Sequence, residues 1–245
     1  MEREKADQKG LTRRRALLTS IGGLCVLGAV KGHVALGLRR GESGHVLRII
    51  DGDSFVLKTG EGELSVRLAS IEAPHFGREG KPAWPLANEA KSALLALTRG
   101  QDINLYYADR KRDRFGRSIA QAYIASRDGT PETWIQSEMI KQGFARVYSW
   151  PGEQADIASL YRLEQNARDQ KRGIWSDPFY GVRSPDPDPL AQFVDSVQII
   201  EGIVTSTADV RGTIYLNFGA DYKTDFTIAI AVSYTHLTLP TIYSV

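Results

Sequence analysis

Apolar and polar residues alternate in short stretches through residues 46–68, which is the pattern of half-buried strands. The alternation predicts three strands, at residues 46–50, 54–58 and 64–68. Asp51-Gly52-Asp53 separates the first two strands and residues 59–62 separate the last two, and both are typical turn sequences. Short strands joined by tight turns predict an antiparallel meander.

A helical periodicity replaces the alternation after a loop that contains two prolines. Apolar residues recur on one helical face from Leu86 to Leu97, and Gly100 ends the pattern. The pattern then predicts two strands, at residues 103–107 and 119–125, that flank a basic loop at residues 110–117. Two helices are predicted to follow, at residues 133–142 and 155–171. Five strands and three helices predict an α+β fold, with a five-stranded OB-fold β-barrel capped by about three α-helices.

The composition changes after the last of these helices. Alternating prolines and aspartates at residues 184–189 are typical of a stiff segment, so residues 178–196 are predicted to be a linker. Further strand-like runs predict the truncated start of a second small β-domain at residues 197–230. Residues 232–241 resemble a translated sequencing-library adapter, so we interpret residues 231–245 as an artefact rather than as a genuine final strand.

The amino-acid composition is that of an ordinary globular protein and excludes disorder throughout the chain. The 245 residues are 42% hydrophobic and 24% charged. Although the net charge is +2, the basic excess lies in residues 1–40, whereas residues 41–180 carry as many acidic as basic side chains. A broad basic face for coating DNA is therefore not indicated, and affinity for phosphate must come from locally placed Arg and Lys side chains.

Cysteine and histidine are too sparse for two kinds of site. The single cysteine, Cys25, excludes a disulfide within the chain. The four histidines are widely spaced and no CxxC pair is present, which excludes a conventional zinc site.

The N-terminus has the pattern of an export signal. Three consecutive arginines at residues 13–15 precede an apolar run at residues 16–30, which is too short for a comfortable membrane-spanning helix. Residues 1–40 are therefore predicted to be a signal peptide or an N-terminal anchor helix. The protein is expected to be exported, either periplasmic or secreted, or to be attached to the membrane through residues 16–30.

Three polar clusters carry the candidate chemistry: Asp51-Gly52-Asp53-Ser54, the run from Arg67 to His75, and Asp113-Arg114-Phe115-Gly116-Arg117. Hydrolysis of a phosphodiester needs oxygen ligands for a divalent cation, positive charge at the phosphoryl oxygens and a base that activates water. Asp53 and Glu72 suit the first need. Arg67 and Arg117 suit the second, because a guanidinium binds phosphate oxygens in pairs and stays charged.

The order and spacing of these clusters resemble the thermonuclease-like (staphylococcal nuclease-like) family. The resemblance covers residues 44–177 and includes Gln142-Gly143-Phe144-Ala145 and Gly173-Ile174-Trp175. Each piece alone is weak, since Asp-Gly-Asp is also a common hairpin turn. Together they imply an OB barrel with three helices and calcium-dependent cleavage of DNA or RNA. We expect the cleavage to have low sequence specificity and the protein to be a monomer.

The resemblance also assigns roles to single residues. Asp53 and Glu72 would be metal carboxylates, Ala73 would offer its backbone carbonyl to the metal, and Asp51 would be an acid one layer further from the metal. Arg67 and Arg117 would bind the phosphate and stabilise the transition state.

Three further residues are candidates for contact with nucleic acid. Phe115 lies where the family often has a tyrosine near the nucleotide. Arg114 belongs to a basic run that is either a solvated hairpin tip or a guide for phosphate. Tyr148 either stacks on a base or packs against the neighbouring helix.

His75 is the main departure from the family pattern, which has a glutamate, the candidate general base, at this position. A neutral imidazole can act as a base near pH 7, so His75 is predicted to be catalytic, with Glu79 as an alternative base. A second interpretation is a barrel that binds nucleic acid or protein without cleaving it, because His75 replaces the glutamate. Glu72 in place of aspartate and Ala73 in place of threonine are milder departures. A purely structural envelope protein is a third interpretation.

Overall fold

The computed structural model describes residues 37–77, 82–126, 132–148, 156–194, 196 and 198–231. The apolar run of the predicted export signal, Glu79 and residues 232–245 lie outside the described residues. Among the helices of the described part, none is both long enough and apolar enough to cross a membrane.

The described residues form strands in this chain order: β1 (Arg39–Asp51), β2 (Ser54–Thr59), β3 (Gly62–Leu68), β4 (Ile71–Glu72), β5 (Asp102–Tyr107), β6 (Ser118–Ile124), β7 (Thr133–Trp134), β8 (Arg146–Val147), β9 (Val182–Arg183), β10 (Ile199–Ile200), β11 (Ser206–Val210), β12 (Thr213–Asn217) and β13 (Thr227–Ala231). The α-helices are α1 (Ala87–Thr98), α2 (Ile135–Lys141), α3 (Ile157–Asp169) and α4 (Pro187–Leu190). The predicted helix at residues 133–142 starts two residues late, because Thr133 and Trp134 pair with β6 instead.

Strands β1, β2, β3, β5 and β6 close into a barrel. β2 pairs with β1 and β3, β1 pairs with β5, and β5 pairs with β6, all antiparallel. A parallel pairing of β3 with β6 joins the two ends and sets Arg67 opposite Ile119. The predicted five-stranded barrel with capping helices is confirmed.

The barrel interior and three helices share one apolar core. Strands β2, β3 and β5 and helices α1, α2 and α3 all contribute fully buried side chains, among them Phe55, Leu68, Leu105, Leu94, Met139 and Leu160. Burial of one such side chain stabilises a fold by about 1.5–3 kcal/mol. The core therefore holds the three helices firmly against the barrel.

Gly52 brings the β1–β2 turn into close contact with α1. A Cβ atom on Gly52 would lie 2.6 Å from the Cβ of Ala73 and 2.7 Å from the Cβ of Ala90, which is shorter than any normal contact. Only glycine allows this approach. The turn that carries Asp51 and Asp53 is therefore fixed against the helix rather than free in solvent.

Gly143 and Gly173 join the C-terminal ends of α2 and α3. Both have positive φ angles, 75° and 52°, and a Cβ on either would lie 2.2 Å from a backbone oxygen of the other segment. The amide of Ile174 donates to the carbonyl of Gly143 at 2.8 Å across this crossing. The crossing explains why the two glycine motifs occur together.

The segment predicted to be a linker carries short elements of its own. Two 3-10 turns, Pro178–Tyr180 and Ala191–Phe193, flank β9 and α4, and the Asp186 carboxylate caps α4, whose first residue is a proline. β9 pairs in parallel with β10, so the sheet that follows begins with β11. β11, β12 and β13 form an antiparallel sheet.

Candidate active site

A pocket of about 590 Å³ opens on the barrel wall, in the size range of ligand sites. Nine of the ten predicted site residues line it: Asp51, Asp53, Arg67, Glu72, His75, Arg114, Phe115, Arg117 and Tyr148. Ala73 is buried and does not line the pocket. The structure thus brings the predicted acids and arginines to one cavity, whereas their roles stay predictions.

Asp53 is a buried carboxylate with 8% of its side chain exposed. Its Oδ2 accepts a hydrogen bond from the Ala73 amide at 2.9 Å and lies 3.3 Å from Nη1 of Arg67. Burial raises the pKa of Asp53 to about 7 and the charge of Asp51 adds to this increase, whereas Arg67 opposes it. A cation in the pocket would favour the ionised carboxylate for the same electrostatic reason.

Asp51 shapes the turn that carries Asp53. Its Oδ1 accepts hydrogen bonds from the Asp53 amide at 3.3 Å and from the Ser54 hydroxyl. These local bonds are those of a side chain that stabilises a turn. Turn formation does not account for the carboxylate of Asp53, which contacts Ala73 and Arg67 instead.

Arg67 is fixed by the backbone beside it. Its Nη1 donates to the carbonyl oxygens of Leu68 at 2.7 Å and Ile71 at 2.8 Å. Its Nε and Nη2 make no hydrogen bond with the part of the chain that the structure describes. Arg67 therefore presents a preset guanidinium with donors left for a phosphate oxygen.

Arg117 is held by a single side chain in the loop between β5 and β6. Its Nε donates to Oδ2 of Asp113 at 2.6 Å, and the amides of Phe115 and Arg117 donate to Oδ1 of the same carboxylate. Burial alone would raise the pKa of Asp113, but its bonds with Arg117 and Phe115 outweigh burial and lower it. Sequence reasoning assigned Asp113 no separate role, because the turn that brings its carboxylate to Arg117 is visible only in the structure.

The three candidate nucleic-acid contacts surround the outer part of the pocket. Phe115 is 65% exposed, and the guanidinium carbons of Arg114 and Arg117 lie 4.7 Å and 5.7 Å from its ring centroid. Tyr148 is half-buried, and its amide donates to the Ser70 carbonyl at 3.0 Å. An exposed aromatic ring between cations is suited to stacking on a base.

Glu72 is paired with Arg146, which the sequence reasoning did not identify. Nε and Nη2 of Arg146 donate to Oε2 of Glu72 at 3.0 Å and 2.6 Å, and only 5% of the arginine side chain is exposed. Oε1 of Glu72 accepts no hydrogen bond from the described residues. One oxygen of Glu72 is therefore free for another ligand. No local pattern reveals this pair, because 74 residues separate its members and only the β4–β8 pairing joins them.

His75 lies between the pocket and an aromatic side chain. Its Nδ1 is 3.2 Å from the carbonyl oxygen of Phe76, and its ring centroid is 4.1 Å from that of Trp84. A carbonyl only accepts hydrogen bonds, so in the neutral ring Nδ1 carries the proton and Nε2 has the free lone pair. This tautomer is the one that a general base at Nε2 requires.

Carboxylates are the groups of this pocket that could hold a hard divalent cation. Asp51, Asp53 and Glu72 all line the cavity, and carboxylates are the ligands that calcium and magnesium prefer. No three His, Cys, Asp or Glu side chains of the described ranges are gathered closely enough to form a complete metal cluster. Arg67 and Arg146 instead neutralise Asp53 and Glu72, so a cation would share these two carboxylates with the arginines.

Comparisons with known proteins agree with this geometry. Residues 65–177 match the family model described as staphylococcal nuclease homologue. The chain is 33% identical to a micrococcal nuclease from Shigella flexneri over 138 residues, which cover 55% of this chain and 74% of the relative. It is 34% identical to Protein ParB from Escherichia coli over 139 residues, covering 55% and 73%. It is 22% identical to a thermonuclease from Staphylococcus hyicus over 132 residues, covering 54% and 75%.

Proposed function

We propose, from the premise that this chain belongs to the staphylococcal nuclease family, that it is an endonuclease that hydrolyses DNA or RNA with calcium and with little sequence specificity. The observation that carries the proposal is the single pocket lined by Asp53, Glu72, Arg67 and Arg117. Two acids and two free guanidinium edges around one cavity suit a phosphodiester and a cation. Nucleic acid is accordingly the expected partner.

Asp53 and Glu72 are the residues that would hold calcium, and Asp51 would not contact the ion directly. When bound, calcium would neutralise charge on the phosphate and orient water. Asp53 contributes a carboxylate positioned by the Ala73 amide, and Glu72 contributes the oxygen that Arg146 leaves free. The family resemblance adds the carbonyl of Ala73 as a further ligand, a proposal that its place outside the pocket lining does not support.

Arg67 and Arg117 bind the substrate phosphate from two sides in this mechanism. Their donors that lack partners within the described residues lie in the same cavity, and both side chains are held before substrate arrives. A preset guanidinium stabilises the extra negative charge of the transition state without reorganisation. Phe115, Arg114 and Tyr148 orient the adjacent nucleotide.

His75 is the proposed general base. Its Nε2 would accept the proton of the attacking water, while Nδ1 keeps its hydrogen bond to the Phe76 carbonyl. The charge of the resulting imidazolium lies in a pocket lined by four carboxylates, those of Asp51, Asp53, Glu72 and Asp113.

The second candidate function is binding of nucleic acid without cleavage. One observation favours it: both proposed metal carboxylates are already paired with arginine, and a histidine stands where the resemblance implies a glutamate. In that case the pocket would bind phosphate through Arg67 and Arg117 but would not activate water.

The test is the full chain incubated with single-stranded DNA in calcium, and separately with a chelator. Cleavage is expected in calcium only, and Arg67→Ala should reduce the rate by about 1000-fold. Arg48→Ala is the matched control, because Arg48 is an exposed barrel arginine paired with Glu63 outside the pocket. Binding of labelled DNA without cleavage would support the second function, and equal loss in both variants would contradict the assignment of the pocket.

We also propose that the protein is exported. The support is the run of arginines followed by an apolar stretch in residues 13–30. Fractionation of cells that produce the tagged chain, with mass spectrometry of its N-terminus, tests this proposal. Full-length protein found only in the cytoplasm would contradict it.

A further inference from the structure

Trp84 is in contact with both halves of the site. Its ring centroid lies 4.1 Å from that of His75, and its amide donates to the His75 carbonyl at 3.0 Å. The guanidinium carbon of Arg146 lies 5.3 Å from the same indole ring. Because Arg146 also binds Glu72, Trp84 contacts the proposed base directly and the proposed metal carboxylate through one intermediate.

A group of aromatic side chains that follows the matched nuclease region packs against Trp84. We call Phe179, Tyr180 and Phe193 the aromatic cluster. Phe179 and Tyr180 lie 5.6 Å and 6.4 Å from the Trp84 ring, and Phe193 lies 6.1 Å from Phe179. The family match ends at residue 177, so these contacts come from residues beyond it.

Polar contacts of two side chains, Tyr180 and Arg183, fix the aromatic cluster in place. The Tyr180 hydroxyl donates to the carbonyl of Pro85, the residue after Trp84, at 2.6 Å. The Arg183 guanidinium donates to the carbonyls of Pro178 and Phe179 at 3.0 Å and 2.9 Å and lies 3.5 Å from the Phe193 ring. Trp84 is therefore confined between the site on one side and the aromatic cluster on the other.

We propose that Trp84 is a positioning residue for His75 and Arg146, and that Phe179 and Tyr180 of the following segment hold Trp84 in place. The proposal rests on the proposed role of His75 as the base. It extends the functional unit past the region that matches the family, because the segment after residue 177 then supports the site.

The physical reason is that a half-buried imidazole with one hydrogen bond can rotate unless its face is packed. An indole against that face limits rotation and keeps Nε2 directed at one water position. A displacement of about 1 Å at a reacting group can lower a rate by about 100-fold. Loss of Trp84 should lower kcat rather than raise KM, since Trp84 does not line the pocket that would bind substrate.

The experiment uses the full chain with Trp84→Leu, Trp84→Phe and Phe179→Leu, and with Phe226→Leu as the matched control. The ring of Phe226 contacts that of Phe218, next to the ends of β12 and β13, and makes no ring contact with Trp84. Two readouts are taken at one pH: kcat and KM for single-stranded DNA with calcium, and the Hε1 resonance of His75 in NMR spectra without calcium, assigned by its loss in His75→Gln.

Trp84→Leu is expected to lower kcat by about 100-fold with KM within about twofold, and to shift the His75 resonance because the ring current of the indole is lost. Trp84→Phe should retain most of the activity, since it keeps an aromatic face. Phe179→Leu should cause a smaller fall in kcat in the same direction, and Phe226→Leu should match the parent. If Trp84→Leu does not fold, Phe179→Leu tests the same contact.

The proposal is overturned if neither Trp84→Leu nor Phe179→Leu changes kcat or the His75 resonance, while His75→Gln is inactive. That result leaves His75 as the base and removes only the role of Trp84. If His75→Gln instead cleaves DNA at the parent rate, the assignment of the base fails and the proposed positioning role fails with it.

Discussion

The two arginines proposed to bind the substrate phosphate are held in different ways. Arg67 lies on β3, where two carbonyl oxygens and Asp53 bind one of its nitrogens and Gly52 packs the adjacent turn onto α1. Arg117 lies in the loop before β6, where Asp113 alone holds its side chain by hydrogen bonding beside the exposed ring of Phe115. We call these two regions the hairpin wall and the basic loop. We therefore propose that the hairpin wall combines structural and chemical roles, whereas the basic loop serves substrate contact.

The strongest test of this comparison replaces each arginine by lysine. Arg67→Lys is expected to lower kcat/KM by about 1000-fold and the free energy of unfolding by about 2 kcal/mol. The single nitrogen of an ammonium lacks the planar fork by which one nitrogen of Arg67 binds the Leu68 and Ile71 carbonyls while the others face a phosphate. Arg117→Lys should lower kcat/KM by about 100-fold and leave stability unchanged. Steady-state kinetics and urea unfolding measure both. Equal effects on stability would break the comparison.

Substitution of one glycine in each region tests how tightly that region is packed. Gly52→Ala is expected to destabilise the protein by about 3 kcal/mol, since its methyl group would overlap Ala73 and Ala90. Gly116→Ala is the control in the basic loop: it has open space and only a positive φ of 79° to accommodate, which costs about 1 kcal/mol. Chemical denaturation gives both values. A smaller loss for Gly52→Ala than for Gly116→Ala would be inconsistent with a tightly packed wall.

Removal of the Asp113 charge tests whether the partner of Arg117 in the basic loop serves activity or stability. Asp113→Asn is expected to lower kcat/KM by about 10-fold, because Arg117 loses its ionic partner and must be ordered by substrate. Stability should change by less than about 1 kcal/mol, the usual range for a partly exposed pair. A loss of stability without a loss of activity would assign Asp113 to the fold instead.

The pH dependence of stability tests a buried carboxyl group outside both regions, that of Glu164 on α3. Glu164 accepts hydrogen bonds from the Val147 amide and from Arg168. Burial raises the pKa of Glu164 despite the opposing effect of Arg168. A carboxyl with a raised pKa in the folded state stabilises it below the pKa of the unfolded chain, and this stability is lost as pH rises through the folded pKa. Unfolding free energy should therefore fall above about pH 4.5, the ordinary range for glutamate. Glu164→Gln should reduce this slope, and an unchanged slope would exclude Glu164 as its cause.

The smallest effect is expected at Phe115. Phe115→Ala should raise KM by about fivefold, because loss of one stacking surface costs about 1 kcal/mol. Neither kcat nor the unfolding midpoint should change, since the ring is mostly exposed. Steady-state kinetics on single-stranded DNA and a thermal melt provide the check. A lowered melting temperature would show that Phe115 stabilises the fold, as the hairpin wall does.

The sequence alone predicted the parts of this molecule that depend on local patterns. The five barrel strands and three capping helices follow from alternation, helical period and glycine stops, and the three polar clusters follow from turn chemistry. The pairing of Glu72 with Arg146 and the ring contact of His75 with Trp84 were missed, because each depends on the tertiary fold. The linker interpretation missed α4, since proline next to a capping aspartate both breaks a preceding helix and starts a new one.

The parallel pairing that closes the barrel has a consequence for how the enzyme could be divided. Arg67 and Arg117 come from strands and loops on opposite sides of Gly100, and the β3–β6 seam is what brings these two parts of the chain together. Neither half therefore contains both of the arginines that are proposed to bind the phosphate. Two fragments produced separately by dividing the chain at Gly100 would each be inactive and would regain cleavage only when they reassemble. The cleavage rate would therefore report directly on complementation between the fragments.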